Sequence, residues 1–304
     1  MEFQHSQYLV ETDWLHTHLN DANLRVLDCT VYLPNYFDAS AAQKVEVVSG
    51  RAHWEHAHIP GSAFADLQQD LCDPANTRFM FPMPPAAQFA AAMSRYGVGE
   101  GTRVVLYDDM LNIWAARIWW MLRAFGFDNA AVLNGGWKKW TLEGRPISTA
   151  PPQYPPAQFV ARPRPERIAT KDEVLAAIGS QATCLVNALD PEEYAGCGPV
   201  RYGRPGHIPS SVNVSFLSIV NPETHAYLSP EQLREQVTRV GAMEKDRVIT
   251  YCGGAIAASS AAFVLTLLGA DNVAVYDGSM TEWAADPTLP VVTGEAQGRR
   301  DLAM

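Results

Sequence analysis

The chain has 304 residues, of which 47% are hydrophobic and 18% charged, enough apolar material for two cores, although length alone also admits one large α/β domain. Its formal net charge of -10 argues against a phosphate-backbone partner, which calls for clustered Lys and Arg, so no nucleic-acid function is expected. The five cysteines, Cys29, Cys72, Cys184, Cys197 and Cys252, form no C-x-x-C pair and no metal-ligand spacing, which leads to an expectation of reduced thiols and a cytoplasmic setting. Met1 to His5 lack a basic segment leading into an apolar stretch, and no window reaches the length of a membrane span, so no leader and no membrane partner are expected.

In chain order, Val26-Leu27-Asp28 reads as a short strand and is followed by the turn His58-Ile59-Pro60-Gly61-Ser62 and a helix from Ala86 to Tyr96. Next come an apolar strand, Val104-Val105-Leu106-Tyr107, running into Asp108, a helix from Trp114 to Phe125, and Val132-Leu133-Asn134-Gly135-Gly136-Trp137 with Trp140 beyond. Pro146 to Pro165 is proline-rich and reads as an extended, semi-rigid linker. Thr170 and Glu173 then have the spacing of a capping box, opening a helix from Lys171 to Ile178. Leu185-Val186-Asn187, the turn His207-Ile208-Pro209-Ser210-Ser211, a helix from Pro230 to Val240, the strand Val248-Ile249-Thr250-Tyr251 running into Cys252, and Val275-Tyr276-Asp277-Gly278-Ser279 with Trp283 complete the chain.

The second series repeats the first in order and in kind. From the pair Asp108 and Cys252 to the pair Trp140 and Trp283, the offset between copies is constant to within one residue. This is a duplication. Short apolar strands alternating with helices predict an α/β fold in two tandem domains, each a mostly parallel sheet with helices on both faces. The expected bounds are residues 1–150 and 166–304, joined by 151–165, with few contacts crossing.

Cys252 sits where a strand meets Gly253-Gly254-Ala255-Ile256-Ala257 and a helix rich in Ala and Leu that runs from Ser259 to Leu268. At a helix N-terminus the unpaired N–H groups and the positive end of the macrodipole favour a thiolate. Adjacent glycines let the backbone curl around the sulfur with its amides inward, a nest for an anion or a persulfide. The matching position in the first half is Asp108, which cannot accept a sulfur atom reversibly. Thiol chemistry therefore falls to the second half, beyond the carboxyl end of a parallel strand, where ligand sites of such sheets lie.

The duplicated HIP turns, the N-G-G-W and Y-D-G-S segments and the cysteine loop together resemble the tandem rhodanese family, the thiosulfate and 3-mercaptopyruvate sulfurtransferases, over roughly Tyr8 to Val292. The resemblance implies two rhodanese-like domains, the first inert, and a ping-pong reaction. Cys252 takes a sulfane sulfur from a small donor as a persulfide and passes it to an acceptor such as cyanide or a thiol, with no metal and no organic cofactor. It also places substrate against Gly253, Gly254, Ala255, Ile256 and Ala257.

Departures from the family pattern bear on the donor. The loop serine of mercaptopyruvate sulfurtransferases falls on Gly254, and the histidine of their proton relay falls on Phe79, leaving Asp66 as the one relay position kept. The basic loop residues of thiosulfate-preferring members are absent too. Arg201 matches the family's substrate-binding arginine best, Arg204 is a second candidate, and an earlier family arginine falls on Glu193. These losses favour thiosulfate as donor, with 3-mercaptopyruvate as the alternative and a non-catalytic binding or sensor module as a further one. A phosphatase of the C-x5-R type would need arginine where this chain has Ala258. His58, His207, Tyr107, Tyr251 and Asp277 all fall in duplicated positions and read as structural.

Overall fold

The computed structural model describes residues 2–36, 45–155 and 157–294. Each half builds one five-stranded sheet in which every neighbouring pair is parallel. Across the first sheet the order is Leu9–Val10, Ala130–Leu133, Arg103–Tyr107, Leu24–Asp28, Ala63–Phe64. Across the second it is Ile168–Ala169, Val273–Tyr276, Arg247–Tyr251, Thr183–Asn187, Val212–Asn213. The two orders correspond strand for strand, as the repeat requires. The central strands are apolar runs buried almost throughout, as expected of parallel strands covered on both faces. An antiparallel pair, Val31–Tyr32 with Val48–Ser49, is added in the first half.

The repeated turns explain the repeated tyrosines. Tyr107 ends the central strand of the first sheet, and its hydroxyl meets the Ser62 hydroxyl at 2.9 Å and accepts from the Ile59 N–H at 3.3 Å. Tyr251 does the same for Ser211 at 2.7 Å and Ile208 at 3.0 Å. Each turn histidine stacks on the aromatic ring of the preceding helix, His58 on Trp54 and His207 on Tyr194, and bonds that residue's carbonyl oxygen. These groups are structural fasteners inside their own domains.

The expectation that few contacts cross between the halves is corrected. Helices Ile113–Ala124 and Ile256–Leu267, equivalent in the two copies, pack against each other, and every residue of both is buried. A helix that is apolar on all sides needs such cover; Trp119 meets Phe263 edge-on at 4.7 Å across this seam. Polar clasps flank it. The fully buried Arg117 donates to Asp277 at 2.6 Å and to the Phe81 carbonyl at 2.9 Å, while Asp277 also accepts from the Met83 N–H at 2.9 Å. Asn134, the counterpart of Asp277, accepts from the Tyr227 N–H at 2.8 Å. Asp277 is thus structural, as its duplication suggests, but it acts between domains.

The proline-rich segment is a strap along the first half. Phe159 is buried against Phe89 and Phe127, and the Arg162 and Arg164 N–H groups bond the Phe125 and Ala124 carbonyls. The capping box at Thr170 and Glu173 forms. Removing one member of a buried ion pair leaves an uncompensated charge, at a cost of about 3–5 kcal/mol. Asp277→Ala is expected to lower unfolding free energy by about that amount, read as a reduced urea midpoint at similar slope; an unchanged midpoint would show that the Arg117 clasp contributes nothing.

Candidate active site

Strand Arg247–Tyr251 delivers Cys252 to the N-terminus of helix Ile256–Leu267, with Ala255 in the left-handed conformation at φ 65° turning the chain into the helix. Backbone N–H groups of Ala258, Gly254, Ala257 and Gly253 act on the sulfur, each favouring its anion. Ala258 was not among the expected site residues, and it joins the cradle because the first turn of the helix offers its free amides. The Ala255 N–H instead goes to the Ser279 hydroxyl at 3.2 Å.

The loop is held from behind by helix Ser279–Trp283. The Ser279 hydroxyl accepts from the Cys252 and Ala255 N–H groups and donates to the Tyr276 carbonyl at 2.8 Å. The Met280 N–H bonds the Cys252 carbonyl at 2.9 Å, and the Thr281 N–H and hydroxyl bond that of Gly253 at 3.0 and 2.6 Å. The sequence carried one signal for this role: Ser279 stands where the inert half has Gly136. A Cβ at Gly136 would lie 2.2 Å from the Asp108 carbonyl oxygen.

Burial corrects the expectation of a ready thiolate. Cys252 is 3% exposed, and desolvation pushes its thiol above the ordinary cysteine value even though the four amides pull the other way. The inert copy shows what the cradle holds once an anion occupies it. Asp108 accepts from the N–H groups of Met110, Asn112, Trp114 and Ala115 at 2.6 to 3.0 Å, and burial still raises its carboxyl to about 6. The loops differ in length: Asn112, left-handed like Ala255, lies four residues after Asp108, whereas Ala255 lies three after Cys252. The one-residue change in repeat offset arises here.

Above the sulfur is a cavity of about 600 Å³, counting its open mouth, walled by Tyr36, Phe81, Met110 and Trp114 from the first half and Leu189, Tyr202 and Phe216 from the second. Gly253, Gly254, Ile256 and Ala257 line its floor. Among the described residues no Lys, Arg, His, Asp or Glu lines it.

The expected auxiliary residues lie elsewhere. Arg201 is buried, pairs with Glu193 at 3.1 Å, donates to the Tyr36 carbonyl at 2.6 Å and stacks over the Tyr36 ring. Glu193 also accepts from the Tyr36 hydroxyl at 2.7 Å. This network forms the back of the wall. Arg204 donates to the carbonyls of Trp283, Ala284, Asp286 and Leu289, fixing the end of the helix behind the loop. Asp66 accepts from the Gln68 and Gln69 N–H groups and pairs with Arg51 at 3.3 Å, and it does not line the cavity. Gly254 does face the stretch that follows Phe79: a Cβ there would sit 3.5 Å from the Met80 carbonyl oxygen.

Two copies of one parallel-sheet domain make up the chain, with a carboxylate in the strand-to-helix loop of one and a thiol in that of the other. Residues 11–143 and 170–286 match the rhodanese-like domain, and the chain belongs to the rhodanese family. It is 35% identical to the sulfur carrier protein TtuD of Thermus thermophilus, covering 97% of this chain and all of that one. Identity is 31% to rat thiosulfate sulfurtransferase, over 95% of this chain and 96% of that one, and 32% to human 3-mercaptopyruvate sulfurtransferase, over 91% and 90%. The 3-mercaptopyruvate sulfotransferase SseA of Escherichia coli superposes with a TM-score of 0.75 at 26% identity, covering 90% of this chain and 98% of that one. No helix of the described residues is long and apolar enough to cross a membrane.

Two measurements test this geometry. A Cβ on Gly253 would lie 2.0 Å from Cζ of Tyr202, so Gly253→Ala is expected to destabilise by about 1–3 kcal/mol through overpacking. Adding Tyr202→Ala relieves that strain in a double-mutant cycle; independent effects would show that the ring does not press on the loop. A raised thiol pKa leaves less thiolate at neutral pH, so alkylation of Cys252 by iodoacetamide should reach half its plateau above the ordinary cysteine midpoint of about 8.5. A midpoint below that value would mean that the amides outweigh burial.

Proposed function

We propose that this sulfurtransferase-family protein carries sulfur on Cys252. The thiolate attacks the sulfane sulfur of a small donor, an S–S bond forms to Cys252, and the donor's own bond to that sulfur breaks with the electron pair leaving on the remainder. A nucleophilic acceptor, cyanide or a thiol, then attacks the outer sulfur and releases the Cys252 thiolate. The observation that carries this reading is the loop itself: Cys252 lies at the floor of a cavity, where four loop amides favour its anion, in a copy of the loop that gives the Asp108 carboxylate four N–H bonds. Such preorganised donors stabilise a buried persulfide anion without rearrangement. In this reading residues 166–304 form the catalytic domain, residues 1–150 supply a wall and no nucleophile, and 151–165 strap the two.

Relatives of similar identity include both thiosulfate and 3-mercaptopyruvate sulfurtransferases, so kinship supports a small sulfur donor without choosing one. The preference for thiosulfate drawn from sequence rested on the loss of the relay's serine and histidine positions, with Arg201 or Arg204 as the candidate anion anchor. With Arg201 neutralised by Glu193 and Arg204 bonded to carbonyls, donor recognition in this proposal proceeds without either.

Incubation with a sulfane donor should add about 32 Da, one sulfur atom, to the reduced protein, and cyanide should remove it. Cys252→Ser should abolish both the gain and turnover while Asp108→Ala retains them, because the nucleophile is lost in the first case alone. Sulfur transfer surviving in Cys252→Ser would end this mechanism.

A further inference from the structure

One carboxylate ties down two sides of the reaction cavity. The first side is residues 79–83 of the first half, where Met80 and Phe81 line the cavity. The Met80 carbonyl oxygen lies 3.5 Å from where a Cβ on Gly254 would stand, and the Phe81 ring meets Trp114 edge-on at 5.2 Å. Phe81 is left-handed at φ 54°, a conformation that strains a bulky residue and persists only where its surroundings hold it. Among the described residues three hydrogen bonds reach the backbone of this segment. One is local, from the Asp73 N–H to the Pro82 carbonyl at 3.2 Å. The other two lead to the seam: Arg117 Nη2 donates both to the Phe81 carbonyl at 2.9 Å and to Asp277 at 2.6 Å, and the Met83 N–H donates to the second oxygen of Asp277 at 2.9 Å. Arg117 is fully buried, and its Nε and Nη1 have no partner among the described residues, so the Asp277 charge is what fixes the guanidinium. The second side is the cysteine loop. Asp277 stands two residues before Ser279, whose hydroxyl accepts from the Cys252 and Ala255 N–H groups.

Resting on the persulfide reading above, we propose that Asp277, acting through Arg117, is a positioning residue for sulfur transfer. It holds Met80 and Phe81 over the cysteine loop and so shapes the space in which the donor sulfur meets Sγ. Without the clasp Phe81 relaxes out of the left-handed conformation, its ring and the Met80 carbonyl leave their places, and the donor sits off line from Sγ. A misplacement of about 1 Å lowers a rate about a hundredfold. This role is separable from the stability of the seam. Well-packed apolar side chains replace a buried ion pair with little loss of stability, but they cannot bond the Phe81 carbonyl or the Met83 N–H.

The test follows sulfur addition to Cys252 by intact mass, with thiosulfate and separately with 3-mercaptopyruvate, recording both the saturating rate and the endpoint. Asp277→Asn keeps an acceptor for the Met83 N–H and removes the charge that holds Arg117. Arg117→Met combined with Asp277→Leu removes both charges and spares the fold. Each should reach the wild-type endpoint at a rate lowered about tenfold or more. In a Phe81→Gly background, where the left-handed turn is unstrained and the ring is gone, the further loss from either change should fall below about twofold, because groups that act through one another do not add. A wild-type rate in the charge-free pair, or the same loss with and without the Phe81 ring, overturns this inference and leaves the persulfide mechanism standing. A rate that falls only in step with the endpoint marks loss of folded protein and overturns it as well. Wild-type protein that gains no sulfur from either donor overturns both readings.

Discussion

Everything in this molecule's chemistry depends on several backbone amides converging on one atom where a parallel strand turns into a buried helix. A side chain rarely solves that problem, because side-chain donors near a buried sulfur bring bulk or charge of their own. The amides of a loop and a first helical turn bring neither. The price is desolvation, and the two copies record it in different groups: burial raises the Asp108 carboxyl and the Cys252 thiol alike. In the proposed mechanism the loop therefore serves the persulfide anion of the intermediate more than a resting thiolate.

The same constraint explains why the first half packs so closely on the second. The helix that begins at Ile256 must be buried on every side for its first turn to stay rigid, and a single domain covers only one of its faces. Its twin, Ile113–Ala124, covers the other. Arg117, Asp277 and Asn134 then fix the seam with charge and hydrogen bonds, and the residues just before them in space, Phe81 and Trp114, become the walls of the reaction cavity. Inter-domain packing and substrate selection are one structure seen from two sides.

Much of this was legible in the sequence. The duplication, the parallel sheets and the helix bounds to within a few residues followed from periodicity and from repeated motifs. What periodicity could not reveal was which groups meet across the seam. Arg201 and Arg204 looked like anion anchors because their segment precedes a family motif, yet a carboxylate eight residues before Arg201 and a fan of carbonyls around Arg204 claimed them. Tyr36 and Tyr202 gave no local signal, since they come together only when the halves dock. Asp66 held its motif position but turned its carboxylate to Arg51 and to its own following amides.

The extra residue in the first-half loop bears on how freely the two copies can exchange roles. With Asn112 one step later than Ala255, the Asp108 backbone approaches its helix along a longer arc, and Gly136 presses directly against the Asp108 carbonyl where Ser279 gives hydroxyl support to the other loop. Placing a thiol at position 108 would reproduce the nucleophile without the loop length or the brace that positions Cys252. If sulfur is carried on Cys252 as proposed, the first copy stands several coordinated changes from the same role, one of them a deletion, so the difference between the halves is set by backbone length as much as by the identity of one side chain.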